Sequence, residues 1–390
     1  MKKSLIALAV LGAVATGAQA QSNVQIGGLF QVVGKSYKVS DVNVAARPAG
    51  QSLKNEFRLD DDHGSRLWFK GTEDLGNGLS ALFYMESRFR TDTGSGAFAD
   101  GNTYVGLNSK SLGQLTFGRQ TLMDGQGSSV ETGLNGAPAM SLGMYAGKTI
   151  LSYVNGFGID TSRSNNVIQY ASPNFSGFSA TAAVATSNGS TEGTAPTTGT
   201  ANNNYDEGRK LFLVGNYKNG PIYVNLAYLT TKTDGQPNLV NLTTANMPDK
   251  EEIRLSASYV FGGFKTGFQF DRATLEKVGR TNAGVGGNDQ TRNAWQIPVS
   301  YTFGPHTIQA SFTKAGDVSN AATADTGAKM WVLGYDHALS KRTNVGVFYS
   351  KVDNERNGVY QPNGAGTTNG STLLAGESAS IVTLGMMHKF

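Results

Sequence analysis

The chain predicts an all-β fold: a transmembrane antiparallel β-barrel of sixteen strands. Three observations carry that prediction. Segments of about ten residues alternate apolar and polar side chains, the period of two that marks a half-buried strand. These segments are joined alternately by tight turns and by long polar stretches. Composition is the third: 390 residues hold 50 glycines, no cysteine and only 16% charged side chains. A soluble domain usually carries about 25% charge and about 7% glycine. Without cysteine the chain has no disulfide framework, thiolate zinc site or Cys nucleophile. The formal net charge is +4. Two of those charges, Lys2 and Lys3, belong to a leader, and the remainder is too small and scattered for a nucleic-acid binder.

The N-terminus has three consecutive parts. Met1-Lys2-Lys3 is a positive region, Leu5 to Val14 a short apolar run, and Ala18-Gln19-Ala20 an A-x-A cleavage site. Residues 1–20 therefore read as a secretory signal peptide and residues 21–390 as the barrel, with Gln21 the expected first mature residue. The apolar run is too short to span a bilayer as a helix, which takes about 20 residues.

From residue 21 onward the connections can be read in order. Tight turns are expected at Glu73 to Gly78, Asn108 to Gly113, Pro173 to Gly177, Lys218 to Gly220, Gly262-Gly263, Gly304-Pro305 and Ser340 to Arg342. Gly, Pro and Asn supply the backbone angles such turns need. The long stretches are 36–64, 91–101, 121–163, 186–209, 233–250, 276–290, 316–328 and 353–378. Seven turns and eight loops join sixteen strands, an even number that leaves both ends of the chain on one side.

The faces follow from parity. In 253–261, Ile253, Leu255, Ala257, Tyr259 and Phe261 oppose Arg254, Ser256 and Ser258. In 79–89, Leu79, Ala81, Phe83, Met85 and Phe89 oppose Ser80, Tyr84, Glu86 and Arg88. In 295–303 the apolar set runs from Trp295 to Phe303, and Pro298 interrupts the polar side. A soluble sandwich would bury the apolar face, whereas a membrane barrel turns it to lipid and keeps the polar face wet. The barrel is favoured because Phe175, Phe178, Phe261, Phe264, Tyr301 and Phe303 gather at the tight turns as an interfacial girdle. The chain also ends on an alternating strand, Val382 to Phe390. Lipid offers no partner to an unpaired backbone group, so such a sheet must close.

The run Gly64 to Gly76 (GSRLWFKGTEDLG) resembles the second-strand signature of Gram-negative general porins, above all the β-proteobacterial and neisserial type. Tyr104 to Leu107, Phe117 to Gln120, Asn166 to Phe178 and the closing Gly385 to Phe390 agree with it in the same order. The resemblance implies a homotrimer embedded among outer-membrane lipid and lipopolysaccharide, both termini in the periplasm, and a third loop folded into the pore. It also carries over three arginines, Arg66, Arg119 and Arg163, as a basic cluster on the wall facing acids of that loop. Loop 121–163 is unusually long, and its own acids include Asp124 and Glu131; the family's Pro-Glu-Phe-Gly motif is missing from it. Parity places Arg66 and Arg88 in the lumen. Arg119 shares parity with the apolar Leu115 and Phe117, so a bulge or a strand end must re-aim it.

The rest of the sequence offers little chemistry. It has no P-loop, no H-E-x-x-H and no G-x-S-x-G, and the histidines at 63, 306, 337 and 388 are scattered. Asp60-Asp61-Asp62 is a carboxylate cluster without EF-hand spacing, and Glu251-Glu252 and Asp206-Glu207 read as exposed loop charges. Phe212 and Val214 beside Leu211 and Leu213 suggest a mixed outer face suited to a subunit contact. The expectation is a passive outer-membrane pore for small hydrophilic solutes and ions with a mild anion preference, using no cofactor and no metal. The pore constriction would be lined by Arg66, Arg88, Arg119, Arg163, Asp124 and Glu131. A channel for one anionic nutrient is the nearest alternative; an outer-membrane adhesin or barrel enzyme is the alternative from another class.

Overall fold

The computed structural model describes residues 23–41, 56–61, 65–123, 163–186, 209–232, 249–278, 287–361 and 373–390. Its strands are β1 (Asn23–Ser40), β2 (Glu56–Asp60), β3 (Arg66–Gly76), β4 (Leu79–Phe89), β5 (Gly96–Ala97) and β6 (Thr103–Ser109). They continue with β7 (Gly113–Thr121), β8 (Arg163–Ala171), β9 (Phe178–Ala185), β10 (Arg209–Asn219), β11 (Ile222–Lys232) and β12 (Lys250–Phe261). The last six are β13 (Phe264–Val278), β14 (Asn288–Phe303), β15 (His306–Ala315), β16 (Ala328–Ala338), β17 (Thr343–Asn354) and β18 (Ser378–Lys389). The short β2 and β5 belong to the first two long connections and pair onto the ends of β1 and β4. The other sixteen form an antiparallel wall that closes where β1 pairs with β18 on one side and β3 on the other. All seven expected turns fall between consecutive strands at one rim, here the turn end. The long connections leave from the other rim, the loop end.

Burial confirms the inside-out pattern. On β12, Ile253, Leu255, Tyr259 and Phe261 are exposed, while Glu252, Arg254, Ser256 and Ser258 are buried on the inner face. Four of the six expected girdle residues form one continuous aromatic strip. Phe261 stacks on Phe264 at 5.3 Å between ring centroids, Phe264 on Tyr301 at 4.2 Å, and Tyr301 on Phe303 at 5.5 Å. Pro298, which has no N–H to give a ladder, lies where the β13–β14 pairing skips from Thr266↔Val299 to Gln269↔Gln296. There the Thr266 hydroxyl donates to the Pro298 carbonyl at 3.2 Å.

Two expectations from the sequence change. Phe212 and Val214 do not form a mixed outer face: they are 0% and 4% exposed and point inward, because Leu211 and Leu213 hold the lipid side. They join Leu122, Met123, Val167, Ala183, Ala227 and Leu229 in an apolar cluster. Leu122 and Met123 are the last described residues after β7, so the chain leaves that strand by turning into the lumen against β8–β11. Glu252 is not an exposed loop charge either. It is fully buried on the inner face, where Lys250 Nζ reaches its Oε1 at 2.9 Å. Its neighbour Glu251 accepts the Tyr228 hydroxyl at 3.0 Å. Residues 1–20, Asp206-Glu207 and most of the third loop lie outside the described residues.

Candidate functional site

The β3–β4 register sets Arg66 opposite Arg88 and Trp68 opposite Glu86, all at inward positions. The Glu86 side chain is 5% exposed and is shared by three guanidinium groups. Its Oε1 accepts Arg88 Nε at 2.7 Å and Arg163 Nη2 at 3.4 Å, and its Oε2 lies 3.7 Å from Arg66 Nη1. The Tyr84 hydroxyl also donates to Oε2, at 3.3 Å. One carboxylate thus gathers three cations that would otherwise repel one another, so these four described side chains together carry a net charge of +2.

Arg163 and Arg119 reach this patch through an irregularity in the ladder. Gly118 of β7 pairs with Val167 of β8, but Gln120 pairs with Ser164. Two steps along β7 therefore meet three along β8, which is a bulge with its extra residue at Asn165-Asn166. Asn166 takes φ 54°, a left-handed angle that asparagine tolerates better than most residues. Arg119 lies opposite the bulge, donates from Nε to the Asp100 carbonyl at 3.2 Å, and bonds Asn165 Oδ1 through Nη1. It is within electrostatic range of Arg163, which also feels Arg66 and Arg88.

The structure therefore brings Arg66, Arg88, Arg119 and Arg163 together on one sector of the wall. The conflict in Arg119's parity is met by the bulge. Glu86 was legible as a lumen acid, but not as the residue that organises the cluster; its i, i+2 spacing to Arg88 was the available signal. Asp124 and Glu131 lie outside the described residues.

Eight strands further round the sixteen-strand wall, half its circumference, a second charged group faces the lumen. Arg254 donates to Asp271 from Nε and Nη2, both at 2.7 Å, with both side chains 1% exposed. Nearby, Tyr360, from the connection after β17, is buried on the inner wall with Ala294, Ala315, Met330 and Val352. Its ring lies 5.8 Å from the Arg292 guanidinium, and its oxygen is 3.5 Å from Nη1. Burial pushes the Tyr360 phenol above its ordinary range, with Arg292 pulling it partly back. The described start of the final long connection thus lies against the inner wall.

The acidic run at the loop end is compensated by cations. Carboxylates of Asp60, Asp61 and Asp92 lie within 4.8 Å of one another. Asp60 bonds Lys35 at 3.0 Å and Arg90 at 3.5 Å, and Asp61 Oδ2 accepts the Thr91 N–H at 3.1 Å. Burial alone would raise the Asp60 pKa, but Lys35 and Arg90 hold it below the usual value. Asp62 and His63 lie outside the described residues. Two of the histidines are neighbours after all: His306 and His337 pair across β15–β16 with Nδ1 atoms 3.3 Å apart, at the turn-end girdle.

A closed sixteen-strand wall, lipid-facing apolar residues and a basic inner patch now stand together. A sequence model of the Gram-negative porins matches residues 7–357. The chain belongs to the Gram-negative porin family. It is 30% identical to outer membrane porin protein 32 of Delftia acidovorans, with both chains covered in full. It is 26% identical to the major outer membrane protein P.IB of Neisseria gonorrhoeae, covering 88% of this chain and 91% of that one. Among solved structures, an anion-selective porin from Comamonas acidovorans is 25% identical, with a TM-score of 0.68 over 95% of this chain and 100% of that one. As a porin, the chain forms a passive pore in the outer membrane for small hydrophilic solutes and ions.

Proposed function

We propose that this porin passes small anions somewhat more readily than cations, and that Arg66, Arg88, Arg119 and Arg163 line its constriction. The observation that carries the reading is the single Glu86 carboxylate shared by three arginines. Fixed charges in a wet pore act over about 8–10 Å at moderate salt, so a surplus of two or three biases ion entry. The anion-selective porin among its structural relatives agrees with that sign. The third loop, with Asp124 and Glu131, supplies the opposing side; the inward turn at Leu122 and Met123 supports its entry into the lumen. The signal peptide 1–20 is removed, both termini face the periplasm, and three copies assemble within outer-membrane lipid. The protein works as a channel and not as an enzyme, without cofactor or metal.

The test is the zero-current potential across a KCl gradient. Wild type should give a mildly anionic potential that fades as salt rises. The double variant R66E/R163E moves the local charge by four units and should reverse the sign. A cation-selective wild type, or a double variant whose potential does not move, would show that these arginines do not set selectivity.

A further inference from the structure

Two of the four histidines meet on the outer wall at the turn end. His306 opens β15 directly after the Gly304-Pro305 turn, and His337 stands opposite it near the end of β16. Both alternate with inward residues, Thr307 and Asp336, so both rings face away from the lumen. The Ala338 N–H donates to the Pro305 carbonyl at 2.8 Å, which makes 305 and 338 the hydrogen-bonded pair of the ladder. His306 and His337 are then a non-hydrogen-bonded pair, the kind in which facing side chains come closest. The His306 ring is held by stacking on Phe303 at 5.1 Å and on Tyr335 at 5.9 Å between centroids.

Donor atoms converge at this point. His306 Nδ1 lies 3.3 Å from His337 Nδ1 and 2.7 Å from the Tyr335 hydroxyl. A neutral ring nitrogen makes a single hydrogen bond, as donor or as acceptor, so this atom has two polar neighbours and one bond to give. Zinc bonds imidazole nitrogen at about 2.0–2.1 Å, and at those lengths two nitrogens 3.3 Å apart subtend about 104–111° at the ion, close to tetrahedral. An ion in the plane of both rings would also set their centroids about 5 Å apart. They are 4.9 Å apart.

We propose that His306 and His337 form a zinc site on the outer wall, both rings binding through Nδ1 with water completing the shell. Imidazole nitrogen suits zinc, whereas calcium and magnesium take oxygen ligands. The ion bridges neighbouring strands at the turn-end rim and takes no part in conduction. The site lies outside the pore, and its test stands apart from the selectivity test.

The experiment titrates chelator-stripped, folded full-length protein in detergent with zinc chloride, read by calorimetry. Wild type should take up one ion per chain through this site. H306Q and H337Q should each weaken that uptake at least about ten-fold, the least that a lost outer partner costs a metal site. H388Q removes a ring that bonds Thr343 two strands away and should bind as wild type. Cobalt in place of zinc should give wild type the visible bands of a four-coordinate ion, and H306Q/H337Q should lose them. Uptake unchanged in the double variant, or displaced by millimolar calcium, would overturn the site in favour of a carboxylate one such as Asp60, Asp61 and Asp92. Absence of one-to-one uptake by wild type would also overturn it and leave the two rings as a hydrogen-bonded pair of the girdle. Single-channel conductance equal to that of wild type certifies that each variant barrel has folded.

Discussion

Glu86 shows how one side chain can set the character of a wall. It is nearly buried, three arginines share its carboxylate, and Tyr84 donates to it as well. Glu86→Gln removes one negative charge and leaves Arg66, Arg88 and Arg163 facing one another. Stability should fall by about 1–3 kcal/mol, the usual cost of unpairing a buried charged group. The potential across a KCl gradient should move further toward anions. Thermal unfolding in detergent and the bilayer recording check the two parts, and an unchanged potential would remove Glu86 from the pore. The bulge residue Asn166, at φ 54°, makes a second case. Asn166→Val should cost about 1–2 kcal/mol, because a branched side chain is strained at that angle, while Asn166→Gly should be close to neutral. Equal melting temperatures for the two variants would mean that the left-handed angle does not matter there.

At the scale of elements, the strands obey the period of two, and one departure from it falls at the site. The β7–β8 bulge lets Arg119 and Arg163 join a patch built by β3 and β4. The connection after β17 is a different device. Its Tyr360 covers Arg292 on the inner wall, and Asn354 holds it by donating to the Tyr360 carbonyl at 2.8 Å and accepting the Tyr360 N–H at 2.9 Å. Tyr360→Ala should uncover Arg292 and raise both single-channel conductance and anion preference. Tyr360→Phe keeps the ring on the guanidinium and should conduct as wild type. If Tyr360→Ala conducts as wild type, this connection does not narrow the passage.

At the scale of the molecule, closure decides whether the fold exists at all. β1 pairs with β18 from Leu29↔Lys389 to Ser40↔Ser378. Phe390 completes the seam: its N–H donates to the Gly28 carbonyl at 3.2 Å, and the Gly28 N–H donates back at 3.3 Å. A Cβ on Gly28 would lie 2.4 Å from the Phe390 ring and 2.7 Å from the Arg66 carbonyl, which is why glycine occupies the position. Deleting Gly385 to Phe390 leaves unpaired backbone at an edge facing lipid, at a cost of several kcal/mol per group. That truncation should give no compact heat-sensitive band on a gel. Unheated wild type should run at about three times its boiled mass, the behaviour of a closed cyclic trimer. A truncated chain that still runs as a compact band would mean that the seam is dispensable.

The sequence by itself determined the strand number, the two kinds of connection, the lipid-facing side and the inward direction of Arg66 and Arg88. Alternation and turn chemistry are local, and each can be read within about ten residues. The tertiary structure alone decided which inward charges meet. Glu86 and Arg163 are 77 positions apart and His306 and His337 are 31 apart, and each pair touches only through barrel register. The same holds for Phe212 and Val214: beside Leu211 and Leu213 they suggested a mixed outer face, and only the cluster with Leu122 and Met123 shows them as an apolar patch inside the barrel. A period of two says which residues share a face. Closure into a ring decides what each face looks at, because it brings distant strands round the same lumen.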